Sequence, residues 1–140
     1  MNLLVDAGPL VTQADRRAPE HAAVTSVLRG ERGELIVSAF VAAEADYIIT
    51  RRFGVDAELR FLDDLAAATY SVVTLSVDEL GRARDLVSTY RDLELGLADA
   101  SIVVLSARLG ITRILTDDNR HFRAVTPLQG GHFTILPADA

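Results

Sequence analysis

Short apolar runs alternate with longer amphipathic stretches along this chain. Runs at 3–5, 34–38, 72–75, 113–116 and 133–136 are brief and rich in aliphatic and β-branched residues, which predicts five strands. Between them the apolar positions recur at helical spacing. Pro9 suits the first turn of a helix that follows the first strand. A second helix is predicted over 19–29, broken by Gly30 and Gly33. Ser38 reads as the N-cap of a helix over 39–52, and Asp56 as the cap of another running to about Ala68. Asp78 opens a helix that continues through 89, and a helix over 98–109 stops at Gly110. Strands alternating with helices imply an α/β fold, a parallel sheet held between helix layers. No repeat, low-complexity tract or linker interrupts the pattern, so a single domain over 1–140 is expected.

That topology gives four acidic residues a common address. Asp6 ends the run Leu3-Leu4-Val5, and Asp118 ends the run Ile114-Leu115-Thr116-Asp117-Asp118. In a right-handed βαβ unit helix N-termini lie beside strand C-termini. Asp99, in the first turn of its helix, and Glu44, about one and a half turns into the helix after the second strand, then face the edge that Asp6 and Asp118 reach. Open α/β sheets hold their ligands at this edge. Each acid alone has a structural explanation as a turn residue or a helix-dipole partner. Glu44 is harder to explain that way, because Phe40, Val41, Tyr47 and Ile48 surround it in sequence and predict an apolar setting.

Four carboxylates crowded as bare anions would repel one another. Mg²⁺ or Mn²⁺ resolves the conflict, since such hard ions take carboxylate and water oxygens and are completed by substrate phosphates. A pair of ions about 3.5–4 Å apart would support in-line displacement at phosphorus.

Composition narrows the chemistry further. All 14 basic residues are arginine, so a P-loop lysine, a receiver-domain lysine and a Schiff-base lysine are all excluded. There is no cysteine, which removes disulfides and thiolate metal sites. The net charge of −6 argues against broad non-specific nucleic-acid binding by a basic surface, though bound cations would reverse the field locally. No apolar stretch reaches the roughly 18–20 residues that span a bilayer, and Met1-Asn2-Leu3 lacks the charged start of a signal peptide, so a cytoplasmic location is expected.

Four segments in this order and spacing resemble the PIN-domain ribonucleases, most closely the VapC toxins of toxin–antitoxin pairs. They are Leu3-Leu4-Val5-Asp6-Ala7-Gly8-Pro9-Leu10, Val41-Ala42-Ala43-Glu44-Ala45-Asp46-Tyr47, Leu97-Ala98-Asp99-Ala100-Ser101-Ile102, and Ile114 through Phe122. The resemblance spans essentially the whole chain. It implies a three-layer α/β/α sandwich with a central, mostly parallel five-stranded sheet, and Asp6, Glu44 and Asp99 as metal ligands. The family's Thr-x-Asp pattern implies Asp118 as the fourth acid ahead of Asp117, with Thr116 supporting the site through its hydroxyl and Asp117 as an outer acid. The family often carries Ser or Thr right after the first Asp, where Ala7-Gly8 stand here.

The implied activity is hydrolysis of RNA by carboxylate-bound Mg²⁺ or Mn²⁺ that activates water, leaving 5′-phosphate and 3′-hydroxyl ends. Single-stranded or loop RNA is the implied target. Arg120 and Arg123, which follow Asp118, are the first choices for phosphate contacts, with Arg16, Arg17, Arg51 and Arg52 behind them and His121 as a structural neighbour. The implied partners are a VapB-like antitoxin, lying in a groove that the helices at 19–29 and 39–52 could line, and a second copy in a homodimer. The alternatives are a PIN nuclease of housekeeping RNA processing and a non-catalytic α/β binding module. A haloacid-dehalogenase-type phosphatase would want Asp-x-Asp after the first strand, where Gly8 stands in the second Asp position.

Overall fold

A computed structural model describes residues 1–140. Its five strands are β1 (Leu3–Val5), β2 (Leu35–Ser38), β3 (Ser71–Val73), β4 (Arg113–Leu115) and β5 (Thr134–Leu136). They form one sheet in the order β3-β2-β1-β4-β5, with every pairing parallel. Parallel neighbours need crossover connections, and seven helices supply them: α1 (Ala7–Gln13), α2 (His21–Gly30), α3 (Ala39–Phe53), α4 (Val55–Ala66), α5 (Val77–Thr89), α6 (Leu97–Leu109) and α7 (Asn119–Ala124). The result is a three-layer α/β/α sandwich.

The central strand is the most deeply covered, because helices bury both faces of a parallel sheet. Leu3, Leu4 and Val5 are all but inaccessible, as are Ile114 and Leu115 beside them. Helix α6 is wrapped in the same way. Its run from Ala100 to Ser106 is buried at every position, which explains why its sequence shows no polar face. Phe122 and Phe133 close the β4–β5 end edge to face, with ring centroids 5.8 Å apart.

Several local expectations shift. The sheet is wholly rather than mostly parallel. The third strand lies at 71–73, not 72–75, and the fourth ends at Leu115, so Asp118 stands three residues beyond its strand. Asp56 does not cap α4: Gly54, at φ 89°, makes a sharp junction with α3, and Asp56 lies in the first turn. Ser76, not Asp78, opens α5, in a capping box with Glu79. Ser38 does cap α3, accepting from Phe40 and Val41 N–H, and Gly110 ends α6 at φ 67°. Helix α7 and a 3₁₀ turn at Arg91–Leu93 were not expected, being too short to show a helical period. No helix is long and apolar enough to cross a membrane.

Candidate functional site

Two of the acids are placed by capping. Asp6 is the N-cap of α1, and Asp118 is the N-cap of α7, so each carboxylate follows a strand of the central pair and opens the next helix. Asp6 Oδ1 accepts from Ala7 N–H at 2.8 Å, and its Oδ2 accepts from the Thr116 hydroxyl at 2.7 Å. The Thr116 oxygen in turn accepts Asp118 N–H at 2.9 Å, and Asp118 Oδ1 accepts His121 N–H at 3.1 Å. Thr116, only 2 % exposed, therefore ties the two acidic turns together.

Asp99 comes from the first turn of α6 and Glu44 from the second turn of α3. A hydroxyl chain sets these two helices against each other. The Ser101 hydroxyl donates to Ala98 C=O at 2.6 Å, so the Ser38 hydroxyl donates to Ser101 Oγ, also at 2.6 Å, while accepting the amides of Phe40 and Val41. Both serines are buried.

Asp6, Glu44, Asp99, Asp117 and Asp118 line one cavity of about 570 Å³, with His121 and the rim residue Glu94. The fold thus brings together the four acids expected as ligands and Asp117, expected as an outer acid, and adds Glu94. Glu44 is not in an apolar setting: it is exposed at the mouth, as is Tyr47, because the helix turns its covered face, Val41, Ala45 and Ile49, inward. Asp117 owes its position to Gly8. A Cβ on residue 8 would come within 2.3–2.5 Å of the Asp117 carboxylate, so glycine there is what lets Asp117 fold over the start of α1.

His121 is the residue that sequence reasoning undervalued. Its Nδ1 lies 2.8 Å from Asp99 Oδ2 and 2.7 Å from Asp118 Oδ2, and its Nε2 lies 2.8 Å from Leu93 C=O. A carbonyl only accepts, so Nε2 carries a proton; Nδ1 faces two carboxylates and carries the other. His121 bridges two acids from different elements, an arrangement that favours its protonated form. The legible signal was its spacing three residues after Asp118 at a helix start.

The electrostatics follow from crowding. Burial, then the Asp99 charge, pushes the Asp6 carboxyl up to about 7 against the pull of its two hydrogen bonds. Glu44 is raised by partial burial and by Asp99. Asp99 is raised by burial and by Asp118 and Asp117, although His121 pulls it down. Burial works against the His121 cation, but its hydrogen bond to Asp99, the Asp118 and Asp99 charges and the Leu93 carbonyl together raise its pKa.

Such a site fits a hard divalent cation. It offers carboxylates from six side chains, Glu94 included, no arginine lines it, and Asp6 ionises with difficulty without added positive charge. Asp99 and Asp118 bring carboxylate oxygens within 4.8 Å of one another, both facing His121 Nδ1.

The arginines fall elsewhere. Arg123 forms a two-pronged pair with Asp139 near the C-terminus, and neither it nor exposed Arg120 lines the acid cavity. Arg16 and Arg17 border a separate cleft of about 770 Å³ with Arg60. Ile49, Phe53 and Phe61 of α3 and α4 contribute to its apolar lining, whereas no residue of 19–29 does.

Known proteins give the same outline. A family model described as PIN domain matches residues 3–126. The chain is 39% identical over 135 residues to ribonuclease VapC26 of Mycobacterium tuberculosis, covering 96% of this chain and 100% of that protein. Among solved structures, M. tuberculosis VapC20, described as a sarcin–ricin loop cleaving toxin, superposes with a TM-score of 0.75 at 16% identity over 80% of this chain and 86% of that one. VapBC2 of Rickettsia felis, solved bound to a DNA fragment from its promoter, gives 0.66 at 12% identity over 96% and 97%.

Proposed function

The chain belongs to the PIN-domain family, among its VapC-type ribonucleases, and from that premise we propose that it is a metal-dependent endoribonuclease, the toxin half of a toxin–antitoxin pair. The observation that carries the reading is the convergence of Asp6, Glu44, Asp99 and Asp118 on one cavity at the C-terminal edge of the parallel sheet. Family membership and carboxylate geometry point to the same chemistry from independent directions.

In this reading Asp6, Glu44, Asp99 and Asp118 would hold the ion, with Asp117 beside them. Bound Mg²⁺ or Mn²⁺ supplies the positive charge that acidifies water and neutralises phosphate oxygens. The protein's own groups do the rest. Thr116 and Ala7 fix both oxygens of Asp6, so its carboxylate presents one orientation. His121 restrains Asp99 and Asp118 against each other and balances part of their charge before an RNA phosphate enters. The Ser38–Ser101 link keeps α3, and with it Glu44, in register with α6.

The partner in this reading is a VapB-like antitoxin. The 770 Å³ cleft beside α1, α3 and α4 suits a segment with an apolar face and charged flanks, because its apolar lining is bordered by Arg16, Arg17 and Arg60 and by Asp15 and Asp64.

The test is cleavage of a mixed single-stranded RNA set by antitoxin-free protein with Mg²⁺, Mn²⁺ or EDTA, beside Asp99→Asn. Metal-dependent cutting that Asp99→Asn reduces at least a hundredfold is expected. Cutting that survives EDTA and Asp99→Asn would overturn the assignment.

A further inference from the structure

Asp117 is shared between two cavities. On one side is the acid cleft; on the other is a slot of about 270 Å³ lined by α1, α2, the turn between β4 and α7, and the chain end after β5. Pro9, Val24, Pro137 and Ala138 give the slot an apolar lining. Its polar groups are few. Glu20 and Asp117, both exposed to solvent, each bring a carboxylate to its lining. Asn119 and Thr12 add one amide and one hydroxyl. The Thr116 hydroxyl also reaches the slot but is spent on Asp6 and Asp118 N–H.

We propose that this slot is a nucleobase subsite for the residue flanking the cleaved phosphate, and that it selects guanine. The inference rests on the ribonuclease reading of the adjoining cleft. Three features argue for this occupant. The slot adjoins the acid cleft, with Asp117 lining both, so a nucleotide whose phosphate lies at the acids has the slot next to it for its base. It is too small for a helix, which is roughly 10–12 Å across with its side chains, yet it has room for a flat ring between apolar walls. Extruded bases are held in this way, by apolar packing and hydrogen bonds to the base edge.

The choice among bases follows from the acceptors. Two carboxylates accept and do not donate when ionised. Guanine alone among the four bases presents an imino and an amino N–H side by side, a pair that a carboxylate can take with both oxygens. Cytosine and adenine offer only an amino group, and uracil only an imino group. Gly8 is part of the device, since any larger residue would push Asp117 off its position between the two cavities.

The experiment combines binding and cutting. Protein labelled at alanine and valine methyls is titrated with GMP, AMP, CMP and UMP in Mg²⁺, for the wild type and for Ala138→Trp, which fills the slot from an exposed position. The expected result is shifts at Val24 and Ala138, at least fivefold tighter binding of GMP than of UMP, and at least tenfold weaker GMP binding by Ala138→Trp, with folding checked by circular dichroism. On an RNA library the wild type should favour guanine beside the cut, and Ala138→Trp should flatten that preference tenfold. Equal binding of the four nucleotides, or an unchanged cutting preference in Ala138→Trp, overturns the subsite while leaving the nuclease intact. Guanine-selective shifts without any RNA cleavage overturn the nuclease reading instead, and with it the subsite's assigned role.

Discussion

The hydroxyl of Thr116 donates to Asp6 across 2.7 Å, joining residues 110 positions apart in sequence. The same oxygen accepts Asp118 N–H, so one buried side chain orients the carboxylate that follows β1 and the turn after β4. Paired strands β1 and β4 bring the two ends together, and Thr116 fixes how they meet.

Thr116→Val keeps the shape and removes both bonds. The half-buried Asp118 N–H and one buried Asp6 oxygen lose their partner, a loss of about 1–3 kcal/mol. Supports of this kind orient metal ligands, so Mg²⁺ affinity should fall by roughly 10–100-fold. Thr116→Ser should restore most of it. Calorimetric Mg²⁺ titration of the three proteins checks this, and equal affinities would show that Thr116 serves folding alone.

Ser101→Ala acts on the other half of the site. It removes the acceptor of the Ser38 hydroxyl inside the α3–α6 contact, leaving a donor buried without a partner. A stability loss of about 1–3 kcal/mol in urea unfolding is expected. If Glu44 is positioned through this link, cleavage at saturating RNA falls more than the RNA affinity does. Equal falls in both would mean that α3 holds its register without it.

Much of this arrangement was legible because strand ends and helix caps announce themselves. Asp6 and Asp118 follow apolar runs, and the topological rule that aligns helix starts with strand ends places Asp99 and Glu44 at the same edge. Long-range contacts were not legible. Nothing local says that the Leu93 carbonyl accepts from His121, or that Arg123 pairs with Asp139. Glu44 was misjudged because its neighbours in sequence are apolar, whereas exposure depends on which face the helix turns to α1 and α6. The capping roles of Asp56 and Asp78 failed for a local reason: Gly54 and Ser76 make the better helix entries, through free backbone rotation and a capping box.

Ala68 carries a left-handed backbone, φ 58°, at the end of α4. Thr69 N–H bonds Asp64 C=O and Ala68 N–H bonds Leu65 C=O, the pairing that ends a helix through a residue suited to glycine. A side chain in this conformation costs about 1–2 kcal/mol. Ala68 is exposed, so Ala68→Gly loses little packing. The variant should melt a few degrees higher, and a lower melting temperature would mean that the flexibility glycine adds to the unfolded chain outweighs the relief.

The pH response of the metal-free protein follows from Asp6. Its carboxyl stands at about 7 in the folded chain against an ordinary 3.8, so between those values the folded state holds a proton that the unfolded state has released. Stability from this group is therefore full below about pH 4, falls as pH rises, and is gone above about pH 7. At about 1.4 kcal/mol for each pH unit separating the two values, the change is at most about 4 kcal/mol. His121 adds the same sign at higher pH, since its raised pKa gives stability that is lost as the imidazolium deprotonates. Asp6→Asn should raise the metal-free melting temperature at pH 7.5 and flatten its decline from pH 5. Saturating Mg²⁺, which favours the ionised carboxylate, should recover the loss in the wild type and do far less for the variant. A metal-free wild type that grows more stable from pH 5 to 7.5 would show that Asp6 is ionised without a cation, and that the crowding of the acids is relieved in some other way.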